Sequence, residues 1–162
     1  MAKVMEREAK ETKQEKKGKD LQALINQQVA NWAVLDIKIH QHHWFVKGPN
    51  FYPLHAKFEE LYNEAALTMD ELAERLLALG GTPVSTTKEI TELASVKEHA
   101  PLKSADDMVQ SLCDDFSLLI EETGQAMEVA EKEEDEGTHD MLNELRTKLQ
   151  KHVWMMKAHL GK

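Results

Sequence analysis

Two histidines and three carboxylates lie between His43 and Glu74, and their types suit a metal ion. His43 and His55 are twelve residues apart, and Glu59, Asp70 and Glu74 follow. On a helix His55 and Glu59 are i,i+4 neighbours, as are Asp70 and Glu74. The step from Glu59 to Asp70 is close to three full turns, so these four side chains fall within about 100° of arc. Along the axis the same step spans roughly 16 Å, at about 1.5 Å per residue. One ion with bonds of about 2 Å cannot be held by both pairs from a single copy of the helix. Two readings are open. The pairs are unrelated and solvated, as helix-surface carboxylates usually are. Alternatively, His43, His55 and Glu59 of one chain meet the partner subunit's Asp70 and Glu74 across a two-fold axis. Such an isologous contact makes two identical sites.

Imidazole and carboxylate ligands together suit Fe(II), Mn(II) or Zn(II) better than Ca or Mg. Carboxylates that shift between binding modes suit a metal that changes oxidation state. No thiolate is near, which argues against a structural cysteine-type zinc site. His40 and His43 are i,i+3, a spacing that could chelate by itself, although a lone helical histidine is more often packed or hydrogen-bonded. A second cluster, from Glu131 to Asp140, is acidic at six of ten positions. It reads either as a solvated loop or, in an oligomer, as copies converging on an axis to concentrate cations. The one E-x-x-H, Glu136 to His139, spans Gly137, which argues against a di-iron centre built within one chain.

These residues need long helices to position them. Leu21, Leu24, Ile25, Trp32, Leu35 and Ile39 recur at helical spacing, predicting a helix over 20–47 with Asp20 as its N-cap. A second helix is predicted over 51–79, between Gly48-Pro49-Asn50 and Gly80-Gly81. Thr86 and Glu89 form a capping-box pattern for a short helix ending near 95. A third long helix is predicted over 105–132, with Met108, Leu112, Phe116, Leu119 and Ile120 inward. Gly137 breaks the pattern, and a fourth runs over 139–160 on Leu142, Leu145, Leu149, Val153 and Met156. The pattern fits an all-α four-helix bundle, with a short helix in a crossover long enough to make the second and third long helices parallel.

The chain has 162 residues, enough for one domain with a full core. Charged residues make up 30% and aromatics 6%, and glycine and proline are few, as suits an all-helical protein. Residues 1–20 are a separate charged zone of net +2, leaving −11 on residues 21–162. The body should therefore repel nucleic acid and anionic membranes. The tail is either solvated or a DNA-phosphate contact, and its interleaved glutamates weaken the second reading. A single cysteine, Cys113, excludes an internal disulfide and reads as a small buried hydrophobe in a reducing compartment. No secretory signal and no apolar run of about 20 residues is expected, which places the protein in the cytoplasm.

The run KIHQHHWFVKGPNFYPLHAKFEELYNEAALTMDELAERLLALGGTPVST resembles the signature region of the Dps proteins, the mini-ferritins. His-Trp, Leu-His, M-D-E-x-A-E-R and Gly-Gly-x-Pro occur in that family's order and spacing, and KHVWMMKAHLGK resembles its last helix. The resemblance covers residues 21–162. It implies a ferritin-like bundle, a hollow homo-dodecamer and ferroxidase sites at two-fold interfaces. Position by position, it implies that His43 and His55, with the partner subunit's Asp70 and Glu74, are metal ligands. Glu59 stands where the family commonly has Asp. Trp44 and Trp154 match tryptophans near the site, with core packing the plainer role for Trp154. Glu131, Glu136 and Asp140 match acidic residues lining three-fold pores that admit iron.

The function this implies is storage and detoxification of iron. Fe(II) is oxidised with hydrogen peroxide, and Fe(III) is kept in the cage, which protects DNA. Peroxide preference belongs to the resemblance, not to spacing. Zn or Mn would fit the same ligands. The competing readings are a DNA-compacting, nucleoid-associated protein with secondary iron chemistry, and a helical scaffold without metal chemistry.

Overall fold

A computed structural model describes residues 2–162, with side chains from Asp20 onward. The described residues form five helices: α1 (Ala2–Phe45), α2 (Phe51–Ala78), α3 (Thr87–Leu93), α4 (Ala105–Lys132) and α5 (Glu136–His159). The architecture is the expected all-α, ferritin-like bundle, with α3 in the crossover between α2 and α4. The expected start of the first helix at Asp20 is not a boundary, since α1 begins at Ala2. The charged tail proposed for residues 1–20 lies outside the described side chains, Asp20 excepted.

The apolar stripes face one another in a single core. Ile25, Leu35 and Ile39 of α1, Leu112 and Leu119 of α4, and Leu142 and Leu149 of α5 are fully buried. Trp32 packs against Phe116 with ring centroids 6.1 Å apart. Leu24 and Ile120 lie at the margin, only partly buried. Cys113 is free and buried, as a small hydrophobe would be. Neighbouring helices pair as two hairpins, α1 with α2 and α4 with α5, and α1 also packs on α4.

The helix boundaries follow their caps. Thr86 accepts from the Glu89 amide at 3.3 Å and opens α3, while Ser104 accepts from the Asp107 amide at 3.0 Å and opens α4. Asp135 accepts from the Thr138 amide at 3.0 Å and opens α5 three residues before the expected start. Gly137 therefore sits in the first turn of α5 and does not break it. A Cβ there would lie 3.2 Å from the Arg75 guanidinium, which bridges Asp135 at 2.7 Å and Thr138 at 2.8 Å. The glycine makes room for that clamp between α2 and α5.

The crossover has little secondary structure of its own, so its backbone needs other partners. A row of polar side chains on α1 supplies them. Gln22 donates to the Leu79 carbonyl at 2.8 Å, and Asn26 accepts from the Val84 amide at 2.9 Å. Asn31, fully buried, accepts from the amides of Ser95 at 2.7 Å and Val96 at 3.1 Å and donates to Glu122 at 2.8 Å. Lys38 donates to the Lys97 carbonyl at 3.2 Å and pairs with Asp115 at 2.6 Å, and Gln41 donates to the His99 carbonyl at 3.1 Å. Among the described residues no helix is long and apolar enough to cross a membrane.

Candidate metal centre

The α1–α2 turn brings the two histidines together. It spans residues 46–50, buries Val46 and places Gly48 at φ +104°, a conformation that favours glycine. His43 in the last turn of α1 then stacks on His55 in the second turn of α2. Their ring centroids are 3.7 Å apart and their planes differ by 17°. Nδ1 of His43 is 2.8 Å from the His55 carbonyl, and Nδ1 of His55 is 2.9 Å from the His43 carbonyl. A carbonyl only accepts, so Nδ1 of each ring is the donor and Nε2 is the nitrogen left for another partner. The His43 carbonyl is also one of the last four of α1, which lack a partner within the helix. One reciprocal contact closes that helix end and leaves the Nε2 atoms of both rings outside these bonds.

Aromatic residues frame the pair. Phe51 lies over His55 at 4.9 Å, and Tyr62 meets His43 edge-on at 5.3 Å. Tyr62 also stacks on His40 at 3.8 Å, and His40 contacts Trp44 at 5.4 Å. His40 is thereby a packing residue, with Nδ1 donating to the Asp36 carbonyl at 2.7 Å. His42 points the other way, into the core beside Phe58 and His99. Burial, with the charges of His99 and Lys38, pushes its pKa down to about 3, so it stays neutral. Tyr62 was not singled out from the sequence, although its i,i+7 spacing from His55 puts both on one helix face.

Glu59 is exposed one turn beyond His55, and Asp70 and Glu74 are exposed further along α2. Because α2 is unbroken, the separation of roughly 16 Å between Glu59 and Asp70 holds. Among the described residues no three His, Cys, Asp or Glu side chains converge closely enough to hold an ion within one chain. The structure thus brings His43 to His55 and leaves the carboxylates apart. Trp44 is 65% exposed beside this site. Trp154, for which core packing was the plainer expectation, is 66% exposed on α5.

Glu131, Glu136 and Asp140 do come together. With Glu134, Asp135 and His139 they line an open depression of about 420 Å³ at the α4–α5 turn. Asp135 is the anchored member. Burial pushes its carboxyl up, but hydrogen bonds from Thr138 and the Arg75 guanidinium outweigh this and hold it below the ordinary range.

The ferritin-like domain family matches residues 22–162, and the chain belongs to that family. Within it the chain is a member of the Dps group. It is 53% identical to general stress protein 20U of Bacillus subtilis over 137 residues, 85% of this chain and 94% of that one. It is 47% identical to DNA protection during starvation protein 2 of Bacillus anthracis, over 85% of this chain and 94% of that one. Among solved structures, Dps from Bacillus brevis superposes with a TM-score of 0.88 at 48% identity, covering 90% of this chain and 97% of that one. Dps from Listeria innocua soaked with zinc superposes with a TM-score of 0.85 at 48% identity, covering 88% and 97%.

Proposed function

We propose that this protein is an iron-storing ferroxidase that oxidises Fe(II) with hydrogen peroxide at sites shared between two subunits. One subunit supplies His43, His55 and Glu59, and the other supplies the partner subunit's Asp70 and Glu74. The observation that carries the reading is the reciprocal His43–His55 pair, with both Nε2 atoms left out of those bonds and, among the described residues, no third ligand converging within one chain. A nitrogen and oxygen set of this kind suits Fe(II), and Zn(II) or Mn(II) would fit the same donors. Membership of the ferritin-like family supports iron as the cargo.

The chemistry asks little of the protein beyond binding. One peroxide takes one electron from each of two Fe(II), takes up two protons and leaves as two waters. Using both reactants in one step leaves less of either to generate hydroxyl radical. The Nδ1–H hydrogen bonds keep the imidazoles oriented while the carboxylates balance the added charge. The depression lined by Glu131, Glu136 and Asp140 supplies the negative field that draws Fe(II) inward if copies meet there. Fe(III) is then stored within a hollow assembly of twelve chains in the cytoplasm.

Fe(II) loaded without oxygen and then given peroxide tests this, with ferric absorbance as the readout. Fast oxidation should disappear in His43→Ala and in Asp70→Ala, and unchanged rates in both would overturn the assignment.

The relatives named for DNA protection during starvation support a second reading, in which binding and compaction of DNA come first and iron chemistry second. Residues 1–20 are the segment of net positive charge that could serve it. A gel shift at low and moderate salt, with and without those residues, separates the two. Binding lost with the tail assigns DNA contact to it, and no binding leaves protection to iron chemistry alone.

A further inference from the structure

Arg75 follows the proposed ligand Glu74 and lies in the last turn of α2. Helix ends fray. Glu74 is exposed, so its carboxylate is placed by the backbone that carries it. Arg75 pins that backbone. Its Nε donates to the Thr138 hydroxyl at 2.8 Å and its Nη2 to the Asp135 carboxylate at 2.7 Å, so one planar guanidinium grips two residues of the other hairpin. The grip is itself fixed. Thr138 is fully buried, its hydroxyl donates to Asp135, and Asp135 caps α5 by accepting from the Thr138 amide. Gly137, between them, has no side chain to crowd the guanidinium. Because α2 pairs mainly with α1, and α5 with α4, this fork ties the turn that carries Glu74 to the start of α5.

We propose that Arg75 is a positioning residue that acts in trans. By pinning the end of α2 to the start of α5, it holds Glu74 where the partner subunit's His43 and His55 need it. This role rests on the shared site proposed above. Arg75 touches no iron and acts only through the backbone of Glu74. Lysine does not replace it, because a single ammonium on a flexible stem lacks the rigid fork that holds a carboxylate and a hydroxyl together. General support of the fold would weaken the chain that carries the change. A trans role instead places the defect at the other chain's histidines.

The test uses the assembled full-length protein. Arg75→Lys and Thr138→Val open the fork from α2 and from α5, and both should keep their helical circular dichroism. Co(II), titrated without oxygen and followed by its visible absorption, should bind about tenfold more weakly in each. Half-saturating Fe(II) in peroxide-driven oxidation should rise by a similar factor, with the maximal rate within about twofold of the wild type. Co-assembly of Arg75→Lys with His43→Ala then locates the effect. In a mixed pair the Arg75→Lys chain supplies the histidines, and the His43→Ala chain supplies Glu74 beside an intact Arg75. About half of the working sites should therefore show the wild-type half-saturation. Unchanged Co(II) and Fe(II) binding in both variants overturns the proposal, and so does a co-assembly in which every working site keeps the raised value. Failure of the shared site itself is read elsewhere, as wild-type oxidation in both His43→Ala and Asp70→Ala.

Discussion

Two imidazoles that exchange hydrogen bonds with each other's backbone are fixed in tautomer and orientation at once. Their spacing made His43 and His55 candidates in the sequence, but the reciprocal contact depends on the path of residues 46–50, which spacing does not encode. Trp154 was legible in a way that went unused. The buried stripe of Leu142, Leu145, Leu149, Val153 and Met156 already places position 154 off the core face. The His152–Glu64 pair was not legible, because its partners are 88 residues apart. Burial raises the Glu64 carboxyl, but the His152 hydrogen bond and the charges of His152, Lys148 and Lys57 outweigh this and hold it below its ordinary value of 4.5. A carboxyl lowered in the folded state binds its proton more readily when unfolded. The pair therefore stabilises fully above about pH 4.5, and its contribution is lost as pH falls through the folded value. Glu64→Gln should cost about 1.5–3 kcal/mol at neutral pH and flatten the acid limb of stability, as read from thermal melts across pH.

The existence of the four long helices was legible from their apolar period, that of α3 from its capping box, and most ends from their caps. The exceptions have physical causes. Gly137 looks like a breaker in isolation, yet Arg75 needs the space that it leaves, and Asp135 caps α5 early. The clamp from α1 to the crossover was hidden, because glutamine and asparagine on a helix usually mark its solvated face. Asn31→Ala should be the most damaging change in that row. It leaves the Ser95 and Val96 amides without an acceptor, at about 1–3 kcal/mol for each buried donor, and denaturant unfolding measures it. Gly48→Ala should cost about 1–2 kcal/mol, since a side chain is strained at its positive φ. Because this turn sets the histidine pair, the same variant should also slow peroxide-driven iron oxidation.

At the scale of the molecule, the proposed function gives one chain only part of a site. The assembly proposed here has twelve 18.5 kDa chains, roughly 220 kDa, which light scattering measures directly. Shared sites also make a genetic prediction. A chain lacking His43 and a chain lacking Asp70 are each inactive, but a mixed two-fold pair keeps one intact site. Random co-assembly should restore about a quarter of the wild-type sites, and sites built within one chain would restore none. The charge division, −11 on residues 21–162, predicts that any DNA affinity falls steeply with salt and vanishes with residues 1–20. The three indoles differ sharply in environment: Trp32 is 1% exposed, while Trp44 and Trp154 are about two-thirds exposed. A dissociated subunit would therefore fluoresce as one dry and two wet chromophores. Contact that covers the wet pair moves the emission to shorter wavelength, an optical signal of subunit association that needs no label and no iron.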